Sequence, residues 1–262
     1  MHGKTLNSKL RYEGQVFGTN FNGELEIVEF KNAKDVRVKF VATGYETVTY
    51  LAQILKGNVR DWSLARVYGV GIVDKELTKG SSHHTKDYHY KVWSSMLQRC
   101  YDAKLHVARP TYIGCSVSDN FKSLTYFLDW AKHQVGAEAK DEKGRRFHLD
   151  KDILVKGNKV YSEDTCCFIP HDINVQLTVS KGKRGNLPLG VSVRKGSNKY
   201  KAQIKFEGVV KHIGIYDTPE EAFYAYKEAK DACIKTLANK WRDQIDSRVY
   251  EALMNYQVEI TD

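Results

Sequence analysis

The chain has 262 residues, 42% of them hydrophobic and 28% charged, with 4 prolines and a formal net charge of +9. That composition is globular and allows one large domain or several small ones. No stretch approaches the roughly 18 apolar residues of a membrane span, MHGKTLNSKLRYEG lacks the apolar segment of a secretory signal, and the five cysteines have no CxxC spacing. A reducing, cytoplasmic setting with no membrane partner is therefore expected.

Residues 1–75 read as a small β domain. GQVFGTNFNGELEIVEF breaks at Asn20 to Gly23 between two strand-like runs, and Val36, Val38 and Phe40 share one parity of the next strand. Thr43 and Gly44 mark a turn, and VYGVGIVD closes the set, so an SH3-like barrel is expected. Gly69 and Gly71 form a lone G-x-G with no helix behind it, which carries no nucleotide site. Residues 76–86 read as a polar linker. Its adjacent His83 and His84 read as solvated side chains, because zinc sites use spaced ligands.

Residues 87–180 form the expected central module. DYHYKVWSSMLQRCYD places Tyr90, Trp93, Met96, Leu97 and Cys100 near helical spacing. TYIGCSV follows as a short strand. Ser118 or Asp119 can cap a second helix through Phe121, Leu124, Phe127, Leu128 and Ala131. In RRFHLDKDILVKGNKVYSEDTCCFIPHDINVQL, Phe147 and Leu149 alternate with His148 and Asp150. Gly157 and Asn158 fit a turn, Thr165 to Ile169 a returning strand, and Pro170 the start of a short helix carrying Asn174. Hairpin then helix is the skeleton of a ββα-metal site, which needs an acid or His late in the first strand and an Asn or His on the helix. Asp150 and Asn174 stand at those places, as Mg²⁺ ligands if the site is a nuclease.

Residues 181–262 hold the charge. From Lys181 to His212 there are nine basic residues and one acid, Glu207, so this segment carries nearly all of the positive excess. Lys199, Lys201, Gln203 and Lys205 alternate with Tyr200, Ala202, Ile204 and Phe206, and Ser192 and Arg194 with Val191 and Val193. Period two puts an apolar row on one face of a sheet and a cationic row on the other. That is the footprint of a polyanion binder; the plainer alternative is a solvated sheet face. Thr218-Pro219-Glu220-Glu221 is a strong helix start. The helix runs through Ala222, Phe223, Tyr226, Ala229, Cys233 and Leu237, able to cover the apolar face. A last amphipathic piece passes through Ile245, Val249 and Leu253. The fold class expected is multidomain α+β.

LPLGVSV, KYKAQIKF, HIGIYDTPEEAFYAY and KEA resemble the Apetala/ethylene-response-factor DNA-binding domain, over about residues 187–238. The resemblance implies a three-stranded sheet in the DNA major groove. Its contact positions fall on Ser192, Arg194, Gln203, Lys205, Val210 and His212. The family's arginines are here Ser192, Lys205 and Val210, and a contacting Trp is here His212. Lysine grips guanine less well than the bidentate arginine, which implies phosphate-dominated binding of modest specificity. YKVWSSMLQRCYD, PTYIGCSV, LDKDILVKGNKVYS and CCFIPHDIN resemble tailed-phage proteins with an HNH-like module ahead of such a domain. If the protein is phage-encoded, that resemblance implies the cytoplasm of an infected bacterial host. The likeness implies Asp150 as the acid and Asn174 as the last ligand. Lys151, however, stands where the histidine base belongs, and Asp164 or Thr165 near the central Asn. A protonated lysine is a poor base; His148, two residues early, shares the parity of Asp150 and is the candidate substitute. Cys100, Cys115 and Cys167 read as packing residues, with zinc a minor alternative.

Three readings follow. The leading one is a double-stranded DNA-binding protein using Arg194, Lys199, Lys201, Gln203, Lys205 and His212, with phosphate contacts from Lys181, Lys183 and Arg184. The second is a Mg²⁺-dependent nicking or homing-type endonuclease. The third is an adaptor whose residues 1–75 bind a protein or RNA.

Overall fold

Alternating apolar residues build the first sheet of the computed structural model, which describes residues 11–21, 23–78, 87–178 and 186–260. Strands β1 (Val16–Gly18), β2 (Glu24–Asn32), β3 (Asp35–Phe40) and β4 (Glu46–Thr49) pair antiparallel in chain order. Leu25, Ile27, Phe30, Val36, Val38 and Phe40 bury one face, joined by Val59 and by Ile54 of the short helix α1 (Leu51–Leu55). The register of β2 shifts between Ile27 and Glu29. That bulge reverses the parity, so Phe30 enters the core and Glu29 stays out to pair with Arg37 at 2.6 Å. The sheet is an open meander. Among the described residues no pairing joins β1 to β4, so the closed ring of a barrel is not made by backbone hydrogen bonds.

VYGVG makes a tight reversal rather than a closing strand. Tyr68 and Gly69 both have positive φ, and Gly71 donates to the Val67 carbonyl at 2.8 Å. Gly71 is also a close approach: a Cβ there would lie 2.5 Å from Leu97 and 2.7 Å from Trp93. Both belong to helix α2 (Tyr88–Tyr101), whose N-cap Asp87 accepts from the His89 and Tyr90 amides. The start of the expected linker is ordered. Lys75–Thr78 is a 3-10 turn, and Lys75 Nζ donates to Thr47 Oγ1 at 2.8 Å. His83 and His84 lie outside the described residues.

The chain divides into two compact units. One unit holds Met1–Leu105 with Lys122–Thr125; the other holds His106–Phe121 with Tyr126–Asp262. Helix α2 therefore belongs with the meander. The expected boundary at residue 180 separates no units, because the ββα elements and the C-terminal sheet pack into one body.

In that second unit, after the short helix α3 (Ala103–Ala108), β5 (Ser116–Val117) pairs parallel with β7 (Val160–Tyr161), and β6 (His148–Asp150) antiparallel with β8 (Cys167–Ile169). Helix α4 (Leu124–Lys132) sends Phe127 and Trp130 against Phe121 at 5.2 and 4.8 Å between ring centroids, and Trp130 meets Phe168 at 6.0 Å. Helix α5 (His171–Leu177) begins one residue later than expected, with Pro170 as its N-cap. The C-terminal sheet has the order β11-β10-β9, from β9 (Val191–Val193), β10 (Tyr200–Phe206) and β11 (Val209–Tyr216). Helix α6 (Pro219–Trp241) covers it, with α7 (Ser247–Met254) beyond. Val191, Ala202 and Ile204 pack on Ala222, Phe223, Tyr226 and Val258. Thr218 and Glu221 form a reciprocal capping box, as TPEE predicts.

Candidate functional site

Two places carry the residues singled out in the sequence, both in the second unit. The first is the face of the C-terminal sheet turned away from α6. Residues directly opposite in an antiparallel pair share a face. Lys201 stands opposite Ser192 and Ile215, Gln203 opposite His212, and Lys205 opposite Val210. Ala202 and Ile204, of the other parity, are buried against the helix. Ser192, Lys201, Gln203, Lys205, Val210 and His212 thus share the front, with Lys205, Val210 and His212 exposed and the other three half-buried. Arg194 is exposed just beyond the end of β9, where its amide donates to the Lys199 carbonyl.

Four details correct the simple alternation. Lys211 stands opposite Ile204, hence on the helix side, with Nζ 5.7 Å from the Phe206 ring. Lys199 is ion-paired with Asp217 at 2.9 Å, an exposed pair of small energetic worth. Val193, of the apolar parity, is 59% exposed, because β9 is a three-residue edge strand and only Val191 reaches the core. A bulge in β11 opposite Ala202 and Gln203 reverses parity, which puts Ile215 on the front and turns Tyr216 into the core. Lys181, Lys183 and Arg184 lie outside the described residues.

The second place is the ββα module. The first turn of α5 follows β8 directly, and β8 pairs with β6, so the helix meets the outer residue of β6. His148 Nε2 lies 3.3 Å from His171 Nδ1, and His148 Nδ1 lies 3.5 Å from Asn174 Nδ2. Of the candidates named from the sequence, His148 and Asn174 come together, and Asp150 does not join them. The sequence reading missed His171, whose signal was its place at the first position of the helix, one turn before Asn174.

Asp150 and Lys151 do other work. Asp150 Oδ1 accepts from the Asp152 and Ile153 amides, each at 2.8 Å, closing the turn after β6. Desolvation raises its pKa, against the pull of those two amides. Lys151 is only 6% exposed. Its Nζ donates to Asp152 Oδ1 at 2.5 Å and to the Asn158 carbonyl at 2.8 Å, and lies 5.6 Å from the Tyr161 ring. Asn158 returns two bonds, from Nδ2 to the Lys151 and Val160 carbonyls. Lys151 is therefore a loop clamp. Thr165 Oγ1 likewise donates to the Val160 carbonyl at 2.9 Å.

A Mg²⁺ centre built on Asp150 and Asn174 does not fit these residues. Magnesium takes an octahedron of oxygens, usually one or two carboxylates with water. Here Asp150 Oδ1 is engaged in a turn, and the groups that converge with Asn174 are imidazoles, which suit transition metals. Among the described residues no three His, Cys, Asp or Glu side chains group as metal ligands. The cysteines are free thiols. Cys115, Cys166 and Cys167 are buried, and burial raises the pKa of Cys166 and Cys167 far above the ordinary thiol range, which disfavours the thiolate.

The sequence also did not flag Lys230, a lysine inside the buried stripe of α6. Its signal was spacing: Phe223, Tyr226, Lys230, Ile234, Leu237 and Trp241 recur every three or four residues. Lys230 Nζ donates to the Gln176 backbone oxygen at 2.5 Å and to Gln176 Oε1 at 2.8 Å. Gln176 Nε2 in turn donates to the Lys205 carbonyl at 2.9 Å, and Trp241 Nε1 donates to Asp172 Oδ2 at 3.0 Å. These bonds tie α5 to the sheet and its helix. Comparison with family models, curated proteins and solved structures finds no match for this chain.

Proposed function

We propose that the protein binds double-stranded DNA through the front of the C-terminal sheet. The observation that supports this is the two-sided character of β9–β11. One face is buried under α6; the other sets Arg194, Lys201 and Lys205 among Ser192, Gln203 and His212. Strands lie about 4.8 Å apart, so three span roughly 10 Å, a width that the ~12 Å major groove admits. The cations are mostly lysines, which bind phosphate as point charges and read bases weakly. Affinity is then salt-dependent and only modestly sequence-specific. The test is duplex affinity against salt concentration. Each neutralised phosphate contributes a log–log slope of about −0.9, so three front cations give a slope near −3. A flat plot, or equal affinity for single-stranded RNA, removes the reading.

A nuclease is a second reading, favoured by the approach of His148 to Asn174. Supercoiled plasmid incubated with protein and Mg²⁺, and separately with Ni²⁺, a metal that imidazoles hold, tests it. No nicking, or nicking unaffected by His148→Ala and Asn174→Ala, discards it.

A further inference from the structure

The second unit contains a cavity of about 640 Å³ between α5, α6, the β10–β11 hairpin and the loop around Lys143. Its lining includes His171, Gln176, Ile204, Tyr226, Lys230 and Trp241. We propose that Lys230 is a carbonyl-reactive amine that captures a small aldehyde in this cavity as a Schiff base.

The hydrogen-bond geometry carries the argument. An ammonium has three N–H groups; a neutral amine has two and a lone pair. Around Lys230 Nζ the described residues supply two acceptors, both oxygens of Gln176. Two acceptors match the two N–H groups of the neutral amine and leave its lone pair over. Both acceptors are uncharged amide oxygens, and no carboxylate pairs with this lysine among the described residues. Lys230 is only 7% exposed. Desolvation lowers its pKa to about 8, opposed only by the nearby Cys233. At pH 8 about half of the side chain is then nucleophilic, against under about 1% of a surface lysine.

The charges around the cavity leave room for an anionic substituent. Arg145 is paired with Asp141, and Lys240 with Glu142 and Asp172. Besides Lys230, Lys143 and Lys205 have no acidic partner among the described residues, against one unpaired acid on the lining, Glu207. The reaction balances without redox. The Nζ lone pair attacks the carbonyl carbon, the C=O π pair moves to oxygen and takes a proton, and the carbinolamine loses water to give C=N. One aldehyde and one amine become one imine and one water.

Pyridoxal 5′-phosphate at less than one equivalent, reduced in place with sodium cyanoborohydride, tests this by peptide mapping of the wild-type protein. Label on Lys230 should exceed the mean of the exposed lysines by about tenfold or more, rising with pH through a midpoint near 8. Lys230→Arg keeps a donor for Gln176 and should lose the label at this site. Label spread over exposed lysines with the Lys230 peptide unmodified overturns the proposal, as does total labelling unchanged in Lys230→Arg. Should Lys230→Arg fail to fold, the wild-type map decides alone.

Discussion

Gly190→Ala should be among the most damaging single-methyl insertions in the C-terminal unit. Gly190 has φ +77, in the left-handed region. A Cβ there would lie 2.0, 2.3 and 2.4 Å from Cδ2, Cγ and Cε2 of Tyr226. Ordinary carbon–carbon contact is about 3.5–4.0 Å, so the ring must retreat by about 1.5 Å. Tyr226 is buried among Val191, Ala202 and Phe223 and has little room to do so. The left-handed backbone costs about 1–2 kcal/mol for a residue with a Cβ, and overpacking about 1–3 kcal/mol. The expected loss is therefore about 2–5 kcal/mol, or on the order of 10 °C in Tm for a body of this size. Gly196 is the control. Its φ is +74, yet a Cβ would meet nothing within 4 Å. Gly196→Ala should lose only the backbone part, about 1–2 kcal/mol. Urea unfolding followed by circular dichroism gives both values. Equal losses for the two variants, or under about 1 kcal/mol for Gly190→Ala, would refute the steric argument.

Three further outcomes follow from the same geometry. Lys205→Ala should flatten the salt dependence of duplex binding by about one unit of slope while Lys211→Ala, on the helix side, leaves it unchanged; filter binding at several salt concentrations distinguishes them. Thr218→Ala removes the oxygen that accepts from the Glu221 amide at 3.2 Å and should lower stability by about 1 kcal/mol in denaturant titration. Lys230 has a folded pKa of about 8, below the ordinary ~10.4, so between those values the unfolded chain holds the extra proton. Its contribution to stability therefore rises with pH from about 8 to about 10.4, by up to ~3 kcal/mol. Wild type minus Lys230→Met, measured by urea titration at each pH, should show that rise; a flat difference contradicts it.

Much of the C-terminal unit is legible in the sequence because its determinants are local. Strict alternation in KYKAQIKF predicts which face of β10 is buried, and Ala202 and Ile204 are buried as it requires. TPEE predicts a capped helix start because cap, proline and acids act within one turn, and the capping box forms at Thr218 and Glu221. Burial of Ile245, Val249 and Leu253 follows from their spacing alone. The order β6, β8, α5 is legible in the same local way, but His148 comes near Asn174 only because β6 pairs with β8.

What local pattern cannot carry was decided by packing. A bulge adds one residue to a strand with no change in composition. Nothing in VVKHIGIY announces that Ile215 faces outward while Tyr216 turns in. The Asp-Lys pair at 150 and 151 matches a catalytic pattern in spelling. Its roles as turn and clamp depend on amides and a carbonyl two to seven residues away. The unit boundary moved from residue 180 because Gln176, Lys230, Asp172 and Trp241, some 50 to 70 positions apart, exchange hydrogen bonds. Periodicity says which residues share a face. Only the assembled structure says what that face meets: for Lys230, two amide oxygens of Gln176 and, among the described residues, no carboxylate.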